Sequence, residues 1–228
     1  MFFPQEIVDH RFEIIDKINQ GNVGWIYSAI DTHTNSLVAL KTPKPGISTD
    51  FRREYNMLNR LAPFAYTPTP LAFGLTPHEP YYAMSMEGQS LEHLTSTFLN
   101  GFDERTVSLL LFHLLKAVQY IHTMNVCHCD ITLQNIVMPV SPMKERVLLL
   151  DFDAAIPYNS IAGRRDINNV FMCLELASRH HLLLGQIRSL HNQNSTFTIE
   201  DYLEMIRDTQ NFNEEDNFQW ESENSRVN

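Results

Sequence analysis

The sequence predicts an α+β protein in which a strand-rich part, residues 10–86, precedes a helix-rich part, residues 87–210. Two patterns predict this order. Apolar and polar residues alternate with a period of two in the first part, whereas apolar residues recur at helical spacing in the second. Length supports a single domain over residues 1–228, because a chain of 228 residues can bury a sizeable core.

Stretches with the composition of turns divide the strand-rich part. Residues 12–42 alternate between apolar and polar side chains and are interrupted by NQGNVG and DTHTNS, which predicts three strands joined by two hairpins. Residues 48–62 predict an amphipathic helix behind a Ser-Thr-Asp start, from the helical spacing of Phe51, Tyr55, Leu58 and Leu61. Prolines between positions 63 and 80 then forbid helix and frame two short strands, LAFGL and YYAMSM.

The helix-rich part begins with a long core-facing helix. Apolar residues predict it through their helical repeat, namely Val107, Leu110, Leu111, Leu114, Val118 and Ile121. The stretches NIVMP and RVLLLDF favour short strands, and residues 166–184 resume a helical pattern. TIED at residues 198–201 has the spacing of a capping box and predicts a last helix. The acidic, Asn-rich residues 211–228 are expected to form a mobile or docking end rather than core.

Charge and composition exclude several classes of function. The formal net charge of -10 argues against non-specific binding to nucleic acid, which requires basic patches. No run of eighteen apolar residues occurs, and MFFPQEIVDH lacks a basic and apolar leader, so we expect neither membrane insertion nor secretion by a signal peptide. Cys127, Cys129 and Cys173 have no disulfide-framework spacing, which fits a reducing compartment such as the cytoplasm.

Three features of the strand-rich part are suited to phosphate binding. Gly21 and Gly24 lie at the tip of the first hairpin, where missing side chains let backbone N–H groups approach a phosphate. Lys41 ends the strand LVALK as a point cation, and Glu54 on the following helix lies where it can pair with Lys41. Taken singly, each has an ordinary alternative: a glycine hairpin, a solvated lysine or a helix-surface glutamate.

The segment CHCDITLQN, residues 127–135, places Asp130 and Asn135 five positions apart, so that both can face one pocket. The apolar run within RVLLLDF ends at Asp151, a carboxylate that is costly to bury unless it meets a cation. A base carboxylate, an amide oxygen and a second carboxylate are what phosphoryl transfer from a magnesium nucleotide requires. The protein must position the acceptor hydroxyl and neutralise phosphate charge.

A zinc site is the alternative for the same segment. Alternation along an extended strand directs Cys127 and Cys129 to one side and His128 to the other, which makes a three-ligand site awkward. The sequence contains no second Cys/His pair with zinc spacing. The cysteines are therefore interpreted as small apolar fillers.

The order of a glycine loop, a strand lysine, a helix glutamate, H-x-D-x-x-x-x-N and D-F-x resembles that of the protein kinase family over residues 12–176. The resemblance implies a two-lobed fold, with a β-rich N-lobe and a reduced α-helical C-lobe, and ATP and Mg²⁺ as cofactors. The compact form is similar to that of the casein kinase 1 group.

The resemblance implies a nucleotide site in the strand-rich part. Gly21 and Gly24 would cover the phosphates. Lys41 would hold the α- and β-phosphates, and Glu54 would orient that lysine. The residues that fall at adenine-contacting positions of the family are Ile26, Ala39, Met84, Met86 and Val137.

The same resemblance implies that Asp130 accepts the proton of the substrate hydroxyl, while Asn135 and Asp151 hold magnesium. Asp166 resembles the helix aspartate that braces the catalytic loop, yet only fifteen positions separate it from Asp151 and no A-P-E segment exists. The platform on which such enzymes place a peptide is therefore mostly missing, and a partner protein is expected to supply it.

Four residues depart from the family pattern. Asn19 replaces the first glycine of the loop, and Thr132 replaces a lysine near the γ-phosphate. Asp153 replaces the glycine of D-F-G. Cys129 replaces the arginine of H-R-D, so the cation that would bind a phosphorylated activation loop is absent from that position. Activity is therefore expected to be independent of such phosphorylation.

The expected function is transfer of the γ-phosphate of ATP to Ser or Thr of a protein substrate, in the cytoplasm or, for a protein injected by a pathogen, in the host cytosol. A small-molecule phosphotransferase is an alternative, since LDFDAA resembles the equivalent stretch of aminoglycoside and choline kinases. A pseudokinase that binds nucleotide without turnover is a second alternative, motivated by Asn19, Thr132 and Asp153.

Overall fold

The computed structural model describes residues 2–20, 24–46, 50–62, 66–77, 79–98, 100–141, 145–178, 182–194, 196–209, 212–216, 218 and 221. The chain forms two compact units. The first unit comprises Met1–Gly88, Pro139–Lys144 and Leu150–Asp153, and the second unit comprises Gln89–Met138, Glu145–Leu149 and Ala154–Asn228.

The first unit is built on a six-stranded antiparallel sheet with the strand order β1-β2-β3-β4-β6-β5. The three strands predicted within residues 12–42 are confirmed, and so are the two that follow the prolines. A further two-residue strand precedes them, and it was not predicted because so short a segment has no measurable period. The strands are β1 Ile7–Val8, β2 Phe12–Gln20, β3 Gly24–Asp31, β4 Ser36–Pro43, β5 Pro70–Leu75 and β6 Pro80–Ser85.

The predicted amphipathic helix of the first unit is also confirmed, as α1 over Phe51–Leu61. Asp50 caps it, because its side chain accepts a hydrogen bond from the Arg53 N–H. One face packs against β5 and β6 and buries Leu58 and Leu61. Because β6 is the sheet neighbour of β4, this packing also holds α1 near β4. Glu54 on α1 and Lys41 on β4 are thereby brought together.

The second unit is mainly helical, and its longest helix lies at its centre. Its helices are α2 Leu91–Thr97, α3 Glu104–Thr123, α4 Ser160–Ala177, α5 Leu182–Gln193 and α6 Ile199–Arg207. The predicted long helix is α3, which begins at an Asp103 cap and packs against α4, α5 and α6. Because it has neighbours on several sides, α3 buries residues around most of its circumference.

Two pairs of short strands flank the segment that carries Asp130 and Asn135. β7 (Val126–Cys127) pairs with β10 (Ile156–Pro157), and β8 (Ile136–Val137) pairs with β9 (Leu148–Leu149). The pairing of β8 with β9 confirms the strands expected from NIVMP and RVLLLDF. These ladders hold both ends of the loop that joins β7 to β8.

The predicted helix over residues 166–184 has the wrong bounds. α4 begins at Ser160 because the Asn159 side chain accepts a hydrogen bond from the Ala162 N–H and caps the helix six residues earlier. It ends at Ala177, since the next residue, Ser178, has extended backbone dihedrals. The capping box before α6 is confirmed by reciprocal bonds between Thr198 and Asp201.

The described part of the acidic end is packed, contrary to the expectation of a mobile or docking segment. The Phe218 side chain is 1% exposed, and the Arg146 guanidinium lies 4.4 Å from its ring centroid. The Arg105 Nε also donates to Asp216 Oδ2 at 2.8 Å. An aromatic anchor and a charge-assisted bond therefore hold Asp216 and Phe218 within the second unit.

None of the described helices combines the length and the apolar character that a bilayer crossing requires.

Candidate active site

A buried ionic triad occupies the first unit. The Lys41 ammonium on β4 donates to both carboxylate oxygens of Glu54 on α1, at 2.8 and 2.9 Å, and to Asp151 Oδ1 at 2.8 Å. The Lys41 and Glu54 side chains are 3% and 1% exposed, whereas the Asp151 side chain is 27% exposed. The structure thus brings together three of the residues implied by the resemblance, and it leaves one carboxylate partly accessible to solvent.

Aromatic rings surround the ammonium of the triad. The Lys41 Nζ lies 5.8 Å from the Phe51 ring centroid and 6.0 Å from that of Tyr82. Tyr82 is directly opposite Lys41 in the pairing of β4 with β6, and its hydroxyl hydrogen-bonds Glu54. Sequence analysis missed both rings. The cross-strand position of Tyr82 is a signal that becomes usable only once the strand register is known.

The triad carries one positive and two negative charges. Burial lowers the pKa of Lys41, but attraction to Glu54 and Asp151 outweighs burial, and the pKa is raised above its ordinary value. Lys41 is therefore a permanent cation at neutral pH. The excess negative charge, together with the partial exposure of Asp151, makes this carboxylate suited to accept a further cation.

The backbone at Asp151 adopts the left-handed region, with φ of 63°. Few non-glycine residues adopt this conformation, although Asp tolerates it better than most. At this residue the Asp151 Oδ1 accepts a hydrogen bond from the Lys41 ammonium. The expectation that a buried-strand aspartate must meet a cation is thus met by Lys41.

Gly24 is required by close packing at the start of β3. A Cβ at this position would lie 2.8 Å from the Thr42 carbonyl oxygen and 3.1 Å from the Phe51 ring, both closer than ordinary contacts. Gly24 therefore lets β3 approach β4 beside Lys41. Gly21 lies outside the described residues, and phosphate binding by the glycine loop stays a prediction.

The positions implied for adenine divide between the two units. Ile26, Ala39 and Met84 lie on β3, β4 and β6 of the first unit, where Ala39 is paired with Met84 across the strands. Met86 follows β6 and is half-buried. Val137 lies on β8 of the second unit and is buried. Adenine binding by these five residues stays a prediction.

In the second unit, Asn135 fixes Asp130. The Asn135 Nδ2 donates to both the Asp130 backbone carbonyl and Asp130 Oδ2, each at 3.0 Å. The Asn135 N–H donates to the Thr132 carbonyl at 3.0 Å and closes the turn. Because the amide nitrogen is committed to Asp130, the amide oxygen is the atom of Asn135 that can bind a cation.

Asp166 on α4 braces this loop from below. It is fully buried, and its two oxygens accept the backbone N–H groups of His128 and Cys129, each at 2.8 Å. His122 Nε2 lies 3.1 Å from Asp166 Oδ2. Cys129 has φ of 68°, an uncommon value for a residue with a side chain, and the bond to Asp166 holds it there.

The positive φ at Cys129 shows where the regular strand ends. The backbone of CHC is not extended beyond Cys127 as a regular strand, so the alternation on which the predicted thiol placement rests does not continue to Cys129. Among the described residues, the donor atoms of His122, Cys127 and Asp166 lie within 4.8 Å of one another. Both Asp166 oxygens already accept N–H bonds, and burial raises the pKa of the Cys127 thiol, which disfavours the thiolate that binds metal.

Glu54 departs from its predicted environment. The helical pattern placed it on a polar position beside the apolar stripe of α1, but its side chain is 1% exposed. The ordinary alternative of a helix-surface glutamate is therefore wrong. Pairing with Lys41 compensates the burial of its charge.

The family model described as protein kinase domain matches residues 12–178. Cyclin-dependent kinase 10 of Bos taurus is 27% identical over 169 residues, which cover 63% of this chain and 47% of that protein. A protein of Encephalitozoon cuniculi named as a probable casein kinase I homolog is 31% identical over 149 residues, covering 64% of this chain and 48% of that protein. The chain spans about half the length of the curated relatives it matches.

The family match contains the triad, the loop of Asp130 and Asn135, and the bracing Asp166. It covers well over half of the chain, and the sheet of the first unit and the helices of the second agree with the predicted α+β kinase fold. The chain belongs to the protein kinase family.

Proposed function

We propose that the chain is an ATP- and Mg²⁺-dependent protein kinase that phosphorylates Ser or Thr of a protein substrate. The observation that carries this proposal is the buried triad, in which Glu54 holds the Lys41 ammonium between two short hydrogen bonds. A buried lysine that is fixed in this way is a costly arrangement to maintain for stability alone. It is well suited to binding phosphate oxygens.

The residues implied for magnesium carry ligand types that this hard cation prefers. Asp151 of the first unit offers a partly exposed carboxylate, and Asn135 of the second unit offers an amide oxygen. When bound, magnesium would neutralise charge on the phosphates of ATP. The role of Lys41 in this proposal is to hold the α- and β-phosphates.

Asp130 acts as the base. The acceptor hydroxyl oxygen forms a bond to the γ-phosphorus, the bond from that phosphorus to the β–γ bridging oxygen breaks, and ADP leaves with the electron pair. The hydroxyl proton passes to the Asp130 carboxylate. Asn135 keeps this carboxylate oriented through its bond to Oδ2, so the loop loses little conformational freedom during the reaction.

We also propose that activity is independent of activation-loop phosphorylation. Cys129 takes the place of the arginine that would bind such a phosphate, and the loop has a different support in Asp166, which accepts two of its backbone N–H groups. Only eight residues, 152–159, join Asp151 to α4. We propose that a protein partner completes the substrate platform. We also propose a cytoplasmic location, which is compatible with three cysteines that form no disulfide.

The proposal is tested by the class of acceptor. The purified chain is incubated with γ-labelled ATP and Mg²⁺ and with dephosphorylated casein, a histone mixture, kanamycin or choline. Label in the proteins on Ser or Thr is expected, whereas label in kanamycin or choline alone would favour a small-molecule phosphotransferase. Lys41→Met is expected to lower the rate by about 10²-fold, since it removes a preorganised charge at the phosphates. Lys116→Met, at a half-buried lysine of α3, is the matched control and should retain activity.

A further inference from the structure

A cavity of about 500 Å³ lies within the second unit between the catalytic loop and one face of α4. Asp130 lines it, together with Met172, Cys173 and Leu176 from α4. The proposed base, Asp130, therefore lines a cavity that is large enough to receive a side chain of another molecule.

The α4 side of this cavity is apolar and exposed. Met172 is 50% exposed and Leu176 is 77% exposed, and their separation of four residues places them on the same face of the helix. Ile131 and Cys173, which are 3% and 5% exposed, form a buried apolar floor. An apolar side chain that entered between these residues would remove apolar surface from water on both sides.

The charges of the cavity have one sign. Its described lining residues include the carboxylates of Asp130 and Glu92 and contain no Lys, Arg or His. The Gln134 Nε2 donates to Glu92 Oε1 at 2.8 Å, which fixes this second carboxylate at the rim. An acidic or phosphorylated side chain would therefore meet two like charges without a compensating cation.

We propose that this cavity selects the segment that carries the phosphate acceptor. The inference rests on the proposed function: a Ser or Thr lies at Asp130, and a large aliphatic side chain such as Leu or Met lies against Met172 and Leu176. A cavity of this volume is roughly 8 Å across, and an extended chain advances about 3.3 Å per residue. The aliphatic residue therefore lies within about three residues of the acceptor. Acidic and phosphorylated neighbours are disfavoured, and basic ones are tolerated.

A peptide series tests this selectivity. Each peptide has one central Ser in a neutral background, and Leu, Arg, Glu or phosphoserine is placed in turn at every position up to three residues on either side. We expect kcat/KM for Leu to exceed that for Glu by about tenfold at one position or more, which corresponds to about 1.4 kcal/mol. Equal values for Leu and Glu at every position, or a preference for Glu or phosphoserine, would overturn the inference.

Two matched variants locate the selectivity in the cavity. Leu176→Lys introduces a cation on the apolar wall, and Ile161→Lys introduces the same side chain at a residue of α4 that is 83% exposed and does not line the cavity. Leu176→Lys should remove the Leu-over-Glu preference, because it removes apolar surface and compensates the two carboxylates, whereas Ile161→Lys should keep the preference. Thermal denaturation compares the folding of the two variants. A preference that survives in Leu176→Lys would contradict the assignment.

Binding without turnover separates this inference from the proposed function. Fluorescence anisotropy of labelled Leu and Glu peptides is measured with the full chain in the absence of ATP. The Leu peptide should bind more tightly, and Leu176→Lys should abolish the difference. If no acceptor is ever phosphorylated but this binding difference is present, the kinase proposal fails and the cavity assignment stands. Phosphorylation of both peptides with equal affinity would overturn the cavity assignment alone.

Discussion

The Nζ of Lys41 lies 2.8 Å from Oδ1 of Asp151, although 110 residues separate them along the chain. The same ammonium is held by Glu54, so that one cation bonds two carboxylates of very different exposure. We assign to the buried carboxylate the positioning of the ammonium, and to the more exposed carboxylate the binding of a ligand. Each assignment leads to a different expected result on substitution.

Glu54→Gln tests the positioning role. The substitution keeps the shape of the side chain but leaves the Lys41 ammonium with Asp151 as its only charged partner within the triad. Because Asp151 still pairs with Lys41, the loss is that of a charge-assisted hydrogen bond, which is expected to lower the free energy of unfolding by about 2 kcal/mol. Urea denaturation measures it, with Glu13→Gln at an exposed position of β2 as control. Equal effects of the two substitutions would contradict the assignment.

Asp151→Asn tests the ligand role. If the wild-type chain binds ATP in the presence of Mg²⁺, ATP at a concentration of 100 times its Kd should stabilise the chain by about 2.7 kcal/mol. Differential scanning fluorimetry of Asp151→Asn should show little of the magnesium-dependent part of this stabilisation. Asp16→Asn, at an exposed position of β2, should behave as the wild type. An undiminished response of Asp151→Asn to Mg²⁺ would show that the cation is held elsewhere.

Asp166→Asn tests the brace of the catalytic loop. An amide at this position can accept only one of the two N–H bonds now made to His128 and Cys129. The backbone amide that loses its acceptor should exchange with solvent about tenfold faster. The lost hydrogen bond contributes about 1.4 kcal/mol, and this free energy corresponds to a factor of about ten in the exchange rate. The rate of phosphoryl transfer should fall while the KM for ATP changes little. Unchanged protection of both amides in a hydrogen-exchange experiment would exclude the brace.

We expect the folded chain to lose stability in mild acid because of buried His113 on α3. Burial lowers its pKa from 6.5 to about 4, and Arg146 and Lys116 act in the same direction, while the Glu214 carbonyl opposes them. Between pH 6.5 and pH 4, His113 is protonated in the unfolded chain but remains neutral in the folded chain. The free energy of unfolding therefore falls as the pH decreases from 6.5 towards 4. The full effect is about 3 kcal/mol.

Urea denaturation of the wild type and of His113→Phe, at pH 7 and at pH 5, measures this contribution. The wild type should lose more stability between the two pH values than the variant does. Buried His191, whose pKa is also lowered by burial, remains in both proteins, so only the difference between them reports His113. An equal loss in the two proteins would show that His113 titrates normally in the folded chain.

Local patterns were sufficient to predict β4, α1 and the pairing of Lys41 with Glu54. They did not predict how deeply Glu54 is buried, because its position at the edge of the apolar stripe of α1 is compatible with solvent. What buries Glu54 is the ammonium of Lys41 and the hydroxyl of Tyr82, and both reach it through the strand order of the sheet. Contacts of this kind depend on tertiary structure rather than on local sequence.

The bounds of α4 also could not be predicted from local patterns. Residues 160–165, SIAGRR, contain a glycine and two arginines and give little apolar periodicity, so the sequence placed the start of the helix too late. The Asn159 cap determines the true start. A Cβ at Gly163 would lie 2.7 Å from the Tyr158 ring, which indicates that packing at this turn requires glycine despite its low helix propensity.

The burial of Phe218 had no signal in the sequence. A single aromatic residue within an acidic, Asn-rich segment has no periodicity, and its environment is set by Arg146 and by His113 of α3. The cavity beside Asp130 was also beyond sequence analysis. It combines the catalytic loop with side chains from α2 and α4, and only the folded second unit brings these segments together.

The central claim is that Asp130 is the base of an ATP-dependent phosphoryl transfer. The most direct test is the rate at which the purified wild-type chain and Asp130→Asn transfer the γ-phosphate of ATP to a mixed pool of Ser-containing peptides. The structure predicts measurable transfer by the wild type and a rate lower by roughly 10²- to 10⁴-fold in the variant, the usual effect of removing a general base. Equal rates for the two proteins, or transfer by neither, would contradict the claim.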